Sequence, residues 1–385
     1  MPTDTARIRF ADTGQRASGR TRDPATAPPA RTTAFNVAAH GLRGLAALMV
    51  LFAHILGGTA RHVYQDNAAY VEAIQAPWYL GTFGVQLFFV ISGFVILPSA
   101  LRYRPREFAL RRFLRLYPLF IVLSLAFVAL NAATNAYPKL NTWSTIVSGL
   151  LFLNLFTGTE QLTPNAWSLT YEVMFYVLVC AVVESTVRHR ARFAGSVAVL
   201  MATAFVVALP MALYFVMGVA IRIASQHFRM PIIPARLLEC ISLALMIFFA
   251  SRGHFEYHWR DLGNPVVVGI IVSTGLYFWF AIQPHSLTAV ACDNKVMRYF
   301  GTVSYSLYLV HPYVYFPVRT VFERGGLFTT DVTGSIALFG AIVAGLSILA
   351  AQLAHVTLEL WPYQRFFRQQ IYRTSAATTA DVPAS

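Results

Sequence analysis

Residues 42–54 read LRGLAALMVLFAH and place an arginine and a histidine at the two ends of an otherwise apolar stretch. Eleven helical steps of about 100° come to within roughly 20° of three turns, so Arg43 and His54 share one helix face, about 16 Å apart. In hydrocarbon an ionisable side chain is costly unless it faces a protein interior or a water-filled cavity. The stretch therefore indicates a functional pair inside a bundle. The simpler alternative is an arginine that reaches the lipid headgroups and a histidine that only hydrogen-bonds a neighbouring helix.

The composition of the whole chain is that of a membrane protein. Of its 385 residues 56% are hydrophobic and only 12% are charged, with a formal net charge of +13. Apolar runs of about spanning length occur at about 39–60, 80–100, 112–132, 166–184, 193–209, 211–224, 236–251, 265–283, 301–320 and 333–357. A further run at about 143–157 is short and polar, and we expect it to lie in the interface or to re-enter. The pattern predicts an all-α polytopic bundle of about ten transmembrane helices in the lipid bilayer.

The distribution of basic residues predicts the topology, because lysine and arginine gather in cytoplasmic loops. If 143–157 does not cross, the arginines of 102–115, those of 188–192 and those after 364 all fall inside, with both termini cytoplasmic. Arg252 and Arg260 are then left outside. The arginines lie in short connections between apolar runs, so a nucleic-acid partner is not expected. We predict a disordered cytoplasmic tail at 1–36, a transmembrane domain at 37–365 and a cytoplasmic tail at 366–385.

The sequence RRFLRLYP at 111–118 brings three arginines to the predicted cytoplasmic entry of a helix. Guanidinium groups bind phosphate bidentately, so Arg111, Arg112 and Arg115 are candidates to hold an anionic ligand. A charge anchor that only fixes the topology is the alternative. Six arginines between residues 102 and 115 exceed what topology alone requires.

The sequence NAWSLTYEVMFY at 165–176 opens another helix and places a glutamate inside a run of lipid length. Ser168, Glu172 and Tyr176 follow one another at intervals of four and therefore line one helix face. A glutamate at this depth is costly unless it is paired, which favours a functional role. An interaction with the dipole at the amino end of the helix is the alternative.

Two further segments carry small or polar residues on interior faces. In GTVSYSLYLVHPY, residues 301–313, Ser304, Tyr308 and His311 lie on one face, although His311 before a proline can simply stabilise its helix. In GVQLFFVISGFVI, residues 84–96, Ser92 and Gly93 are typical of a close contact between helices. The three single cysteines have no metal-ligand spacing, and we expect no metal site.

Taken in this order, RGLAALMVLFAH, GVQLFFVISGFVI, RRFLRLYP, WSLTYEVMFY and GTVSYSLYLVH resemble the acyltransferase-3 family of integral membrane O-acyltransferases. The resemblance runs from about residue 40 to about residue 365. It implies an enzyme of the bacterial inner membrane that transfers acyl groups, usually acetyl from acetyl-CoA, to hydroxyls of surface polysaccharides, lipid-linked sugars or other acceptors. His54 and Arg43 match the essential pair of the family's first helix, and Arg112 and Arg115 match its loop arginines.

The resemblance is incomplete near the carboxyl end of the chain. The family usually carries Glu, any residue, Pro after its last helix, whereas Glu359 and Pro362 are separated here by two residues. This departure puts a role for Glu359 in doubt. No fused hydrolase domain is visible in the sequence, so transfer has to rest on the membrane domain alone.

The resemblance and the helical spacing together imply a mechanism. Arg111, Arg112 and Arg115 would hold the phosphates of acyl-CoA, a donor substrate rather than a bound cofactor, with Arg43 further in. His54 would then act either as a general base on the acceptor hydroxyl or as a nucleophile that forms an acyl-imidazole.

We name His54, Arg43 and Glu172 as candidate catalytic residues. The residues expected to bind substrate or to support His54 are Ser168, Tyr305 and His311. The acceptor is expected to be a cell-surface or lipid-linked glycan, and a small lipophilic alcohol such as an antibiotic is the runner-up. A transporter and a structural protein are the alternatives from other classes.

Overall fold

The fold is described from a computed structural model, which covers residues 35–134, 137–163, 165–228 and 231–367. The predicted tails at 1–36 and 366–385 lie outside these residues apart from their junctions with the bundle. The described part contains no strand and fifteen α-helices: α1 Val37–His62, α2 Ala68–Thr82, α3 Gly84–Arg102, α4 Pro105–Thr134, α5 Trp143–Leu150, α6 Asn154–Thr157, α7 Ala166–Val182, α8 Arg192–Ala208, α9 Leu213–Ala224, α10 Ile232–Ala250, α11 Pro265–Ala281, α12 Leu287–Cys292, α13 Lys295–Arg324, α14 Val332–Ala354 and α15 Trp361–Phe367.

Short segments of other helical types join or extend these helices. The 3₁₀ turns are Pro138–Asn141, Pro210–Ala212 and Trp259–Gly263, and π-helical turns follow α7 at Val183–Arg188 and α14 at His355–Leu360. The turn at Pro210 bends the α8–α9 pair by 118°.

The all-α polytopic membrane fold predicted from the sequence is confirmed. Six helical segments of the described residues are long and apolar enough to cross a membrane, or seven if the bent α8–α9 pair counts as one span. Each of the ten predicted runs lies on a helix, namely α1, α3, α4, α7, α8, α9, α10, α11, α13 and α14. That all ten cross the bilayer stays a prediction. Tyrosines and other polar residues lower the hydropathy of α13, and α11 has only 17 residues.

The polar run at 143–157 does not form one long helix. It is divided between α5, of eight residues, and α6, of four. At 1.5 Å per residue neither can cross a bilayer. This geometry agrees with the expected interfacial or re-entrant segment.

Helix α1 lies at the centre of the bundle and packs against α2, α3 and α13. It begins after Asn36, whose side-chain oxygen accepts a hydrogen bond from the backbone N–H of Ala39 at 2.9 Å. At Gly44 a Cβ atom would lie 2.6 Å from the backbone nitrogen of Gly301, so α13 approaches closely there. This contact holds the face that carries Arg43 and the face that carries His311 on adjoining helices.

Glycines also set the distance between α3 and α9. A Cβ atom added to Gly218 would collide with the carbonyl oxygen of Val90, and one added to Gly93 would collide with the carbonyl oxygen of Phe215. Both obstacles are backbone atoms, which cannot move aside as the end of a side chain can. The close helix contact expected at Gly93 is therefore present, with Gly218 as its counterpart.

We expect Gly218→Ala to destabilise the protein by about 1–3 kcal/mol, because the two helix backbones must separate to admit the methyl group. Gly345→Ala is the matched control, since a Cβ atom at this position of α14 meets nothing within 4 Å. Thermal unfolding of the purified, detergent-solubilised chain measures the difference. Equal unfolding temperatures for the two variants would contradict the close backbone contact of α3 with α9.

Candidate active site

A cavity of about 590 Å³ lies beside α1 and extends from Val50 to the exposed carboxyl end of the helix at His62. Residues from α1, α2, α3, α7, α13 and the loop after α10 line it. Much of its wall is aromatic, and the aromatic side chains are Trp78, Trp167, Tyr171, Phe255, Tyr308, Tyr315 and Phe316. The cavity therefore offers flat apolar surfaces with a few polar groups set between them, as ligand sites usually do.

His54 projects into this cavity and is exposed there. Its Nδ1 lies 2.8 Å from the carbonyl oxygen of Val50, one turn earlier in α1. A carbonyl can only accept, so Nδ1 carries the proton, and in the neutral ring Nε2 keeps its lone pair. The helix thus fixes both the orientation and the tautomer of the imidazole and leaves Nε2 able to take a proton.

His311 lies directly against His54. The two ring centroids are 4.8 Å apart, with an angle of 63° between the ring planes. His311 is fully buried, and its Nδ1 donates to the carbonyl oxygen of Leu307 at 3.0 Å. Its Nε2 is buried without a hydrogen-bond partner. The structure therefore brings together two imidazoles that each donate from Nδ1 and that keep the Nε2 lone pair when the ring is neutral.

A proline in α13 explains how α7 is positioned beside this histidine pair. Pro312 has no N–H to bond the carbonyl of Tyr308, and this carbonyl accepts instead from Asn165 Nδ2 at 2.6 Å. Ser168 Oγ donates to the carbonyl of Asn165 at 3.0 Å and lies 2.8 Å from the Tyr308 hydroxyl. Ser168, which the sequence predicts as a supporting residue, thus contacts the hydroxyl of Tyr308, and Tyr308 lines the cavity.

Glu172 lies one turn further along α7 and does not hydrogen-bond His54. Its carboxylate accepts from Ser92 Oγ at 2.9 Å and from the Tyr176 hydroxyl. The guanidinium of Arg112 lies 5.4 Å from the centre of the Tyr176 ring and donates to Ser99 Oγ at 2.7 Å. Glu172 therefore lies on the side of the bundle that carries Arg112, bonded to α3 directly and near α4 through Tyr176.

Several arginines, Arg222 of α9 among them, have a buried nitrogen atom without a partner. Nε of Arg43 and Nε of Arg112 are both buried and make no hydrogen bond within the described residues. Arg43 and Arg115 both lie within electrostatic reach of His40. A buried N–H that the protein leaves unpaired calls for an explanation, and an anionic ligand is one.

The site residues predicted from the sequence therefore form two groups at the two ends of α1. Near the cavity are His54, His311 and Ser168, and toward the amino end of α1 are Arg43, Arg112, Arg115, Glu172 and Tyr305. Tyr305 donates from its hydroxyl to the carbonyl oxygen of Leu116 at 2.5 Å and so joins α13 to α4. Their assignment to catalysis and to donor binding stays a prediction.

Arg111 differs from its two neighbours in α4. Its guanidinium forms an ion pair with Glu107 at 2.7 Å and donates to the Tyr363 hydroxyl at 2.6 Å. The rings of Tyr103 and Phe367 lie on it, each with its centre 4.1 Å away. These contacts fasten α4 to α15, and they favour a structural role over the phosphate contact expected for Arg111.

Several polar residues that line the cavity were not predicted from the sequence. They are Arg61, His62, Gln86, His254 and Glu256. His254 lies in the loop after α10, and its Nδ1 is 3.1 Å from Thr82 Oγ. Burial lowers the pKa of His254, which keeps this imidazole neutral. A loop residue far along the chain from α1 gives no local signal that it will reach this cavity.

Glu359, for which the sequence left a role in doubt, is fully buried. Its Oε2 accepts from Ser306 Oγ at 3.1 Å and lies 2.8 Å from His355 Nδ1, while its Oε1 has no partner. Separation of Glu359 from Pro362 by two residues therefore does not expel the carboxylate from the bundle.

These features define a polytopic membrane protein equipped for group transfer, with an accessible imidazole toward one end of a helix and guanidinium groups with unpaired Nε atoms toward the other. No group of three or more His, Cys, Asp or Glu in the described ranges is arranged to hold a metal. The chain belongs to the acyltransferase-3 family, whose acyltransferase domain matches residues 36–351. The resemblance stated from the motifs is thus confirmed, and the protein is a membrane acyltransferase.

Two relatives agree with this membership. The chain is 25% identical to acyltransferase MdmB of Streptomyces mycarofaciens over 361 residues, 83% of this chain and 89% of that protein. It is 26% identical to the membrane-bound transacylase BcsY of Komagataeibacter xylinus over 317 residues, 70% of each chain. No solved structure matches the chain.

Proposed function

We propose that this acyltransferase moves an acyl group, most simply acetyl, from acyl-CoA to a hydroxyl of a cell-surface or lipid-linked glycan at the bacterial inner membrane. The observation that carries the proposal is His54, whose Nδ1 is tied to Val50 and whose Nε2 is free in a cavity of about 590 Å³. A general base needs this arrangement, in which a fixed tautomer presents an unprotonated nitrogen to the substrate.

The donor enters this proposal from the opposite end of α1. Arg43 and Arg112, with their unpaired buried Nε atoms, would bind the anionic phosphates of acyl-CoA by charge-assisted hydrogen bonds. Arg115 lies within electrostatic reach of Arg112 and of His40, which Arg43 also reaches. The pantetheine arm would extend along α1, which separates Arg43 from His54 by about 16 Å. The thioester would then meet the acceptor hydroxyl at the inner end of the cavity.

A single histidine can handle the one proton that moves during the transfer step. Nε2 of His54 takes the proton of the acceptor hydroxyl as its oxygen attacks the thioester carbonyl carbon. A new C–O bond forms and the C–S bond breaks, and the CoA thiolate then recovers the proton from His54. His311, whose ring packs against that of His54, would keep the imidazole in place through this cycle. Glu172, bonded to Ser92 and Tyr176, would act at a distance by fixing the helices that carry the arginines.

The walls of the cavity support a sugar acceptor. Aromatic rings can pack against the C–H faces of a pyranose, and Gln86 and Asn165 supply polar contacts between them. The same apolar surfaces would also suit a small lipophilic alcohol, which is the second candidate acceptor.

The experiment is acyl transfer from labelled acetyl-CoA in membranes that contain or lack the chain, with extracted glycans and lipids as acceptors. We expect label in the glycan fraction only when the chain is present. Label in a small lipid-soluble product would replace the glycan by the second acceptor. Uptake of a solute without any labelled product would contradict acyl transfer and favour a transporter.

A further inference from the structure

An arginine and a histidine at the outer end of the cavity have no part in the transfer step. Arg61 and His62 end α1, line the cavity and are exposed. Neither makes a hydrogen bond or an ion pair with another of the residues that the structure describes. Arginine and histidine at a cavity mouth, unpaired by the protein, are free to bind a ligand.

The register of α1 relates Arg61 to the reacting group, His54. Arg61 follows His54 by seven residues, which is within roughly 20° of two full turns and about 10.5 Å along the axis. Gly57 and Gly58 lie between them and also line the cavity. The two glycines let the side chains of Trp78 and Tyr315 pack closely against α1. These two aromatic residues line the cavity between Arg61 and His54, so a ligand that reaches from one to the other would lie against them.

A second arginine lies beside the same mouth, on α13 next to Tyr315 and Phe316. Arg319 is within electrostatic reach of His62, and its side chain is only 19% exposed. Its Nε lies 3.2 Å from the Glu323 carboxylate but without hydrogen-bond alignment, and its Nη1 has no partner. The hydroxyl of Tyr315, a cavity residue, is also buried without a partner. Arg319 and Tyr315 lie together beside the mouth, and the guanidinium keeps hydrogen-bonding capacity beyond its ion pair with Glu323.

The charges around the mouth are mixed, and the balance matters. Glu323 offsets part of the charge of Arg319, and Glu256 lies on the far rim with a side chain that is 79% exposed. The lowered pKa of His254 means that this imidazole adds no positive charge. The cationic character therefore rests on Arg61 and Arg319, which lie on the α1–α13 side of the cavity.

We propose that this mouth binds an anionic oxygen group of the acceptor, either a phosphate or a carboxylate, while the hydroxyl to be acylated reaches His54. Arginine is suited to both groups because its donors match their paired oxygens. The inference rests on the proposed function and narrows its acceptor to an anionic glycan. The anionic group and the acylated hydroxyl would be separated by about two helical turns of α1, roughly 10 Å.

The test measures binding of small probes to the purified full chain in detergent, without acetyl-CoA, so that no turnover is needed. The probes are glucose 1-phosphate, glucuronate and methyl glucoside. We expect at least one of the two anionic probes to bind about tenfold or more tightly than the neutral one. Whichever of them is preferred identifies phosphate or carboxylate as the group recognised.

The variant Arg61→Gln/Arg319→Gln should abolish this preference and leave binding of methyl glucoside unchanged. Arg260→Gln is the matched control at the same end of the bundle, because its side chain is 83% exposed and lies outside the cavity. Equal binding of all three probes, no binding of any, or a preference retained in the double variant would overturn the inference. Displacement of glucose 1-phosphate by acetyl-CoA with the same dependence on Arg61 would also overturn it, because the mouth would then hold the donor.

The experiments distinguish failure of the proposed acyl transfer from failure of the proposed anion site. Anion binding that depends on Arg61, in a preparation that transfers no label from acetyl-CoA, would refute the acyl transfer and leave the anion site standing. Transfer to glycan with no anion preference would do the reverse.

Discussion

Replacement of His54 by alanine is expected to lower kcat for acyl transfer by about 10²- to 10⁴-fold, the usual contribution of a positioned general base. The loss should fall on kcat more than on KM for acyl-CoA, because the donor phosphates are bound at the other end of α1. His54→Gln should be equally inactive, since its amide can hydrogen-bond the acceptor but cannot take its proton. Single-turnover transfer at saturating labelled acetyl-CoA gives the rate constant directly.

The control for this change is His227→Ala, which alters an exposed histidine in the segment after α9. Elution on size exclusion and protein level should match the wild type for all three variants, because His54 donates only to its own helix. Full transfer activity in His54→Ala would contradict the proposed role. Rapid quenching of the wild type separates the two mechanisms, since label bound to the protein indicates an acyl-imidazole and its absence indicates a general base.

The helices could be predicted from the sequence because membrane helices are determined locally. A backbone in hydrocarbon must satisfy its own hydrogen bonds, so each long apolar run becomes helical wherever it lies in the chain. The common face of Arg43 and His54 follows from the same periodicity, and α1 is unbroken between them. The short length of 143–157 and its polar residues also predict that this segment does not form a spanning helix.

The partners of the polar residues could not be predicted in this way. The cost of burying Glu172 indicated that its carboxylate needs a partner, but the sequence did not show whether Ser92, Tyr176 or His54 is that partner. The packing of α3 against α7 places Ser92 and Tyr176 within hydrogen-bond distance of it. Arg111 and Arg112 are adjacent and look alike in the sequence. The step of about 100° between them turns Arg111 toward α15 and Arg112 toward α3 and α7.

The site also depends on residues that carry no local signal. Pro312 indicates that the carbonyl of Tyr308 needs another donor, yet nothing in the sequence identifies Asn165 as that donor. His254 reaches the cavity only through the loop after α10. The cavity therefore arises from tertiary packing. Only the wall formed by the polar face of α1 could be predicted from the sequence, because that face follows from helical periodicity.

Replacement of Arg43 by alanine is expected to raise KM for acetyl-CoA by about 10- to 100-fold. This corresponds to loss of one charge-assisted hydrogen bond of about 1.5–3 kcal/mol. Arg43→Lys should recover only part of the affinity, because a lysine keeps the charge but not the paired donors. The measurement compares KM for acetyl-CoA with KM for acetyl-pantetheine, which lacks the nucleotide phosphates. Wild type should prefer acetyl-CoA strongly, and Arg43→Ala should lose most of that preference.

A structural role for Arg43 predicts a different pattern of stability. If the arginine held the bundle together, Arg43→Ala would lower the unfolding temperature of the protein without donor. Its Nε is buried and unpaired, so we expect the variant without donor to be as stable as the wild type or more so. Added acetyl-CoA should raise the unfolding temperature of the wild type and of Arg260→Ala but not that of Arg43→Ala. An unchanged donor preference together with a less stable variant would contradict donor binding by Arg43. The opposite pair of results would show that the protein leaves this guanidinium unpaired because the donor completes it.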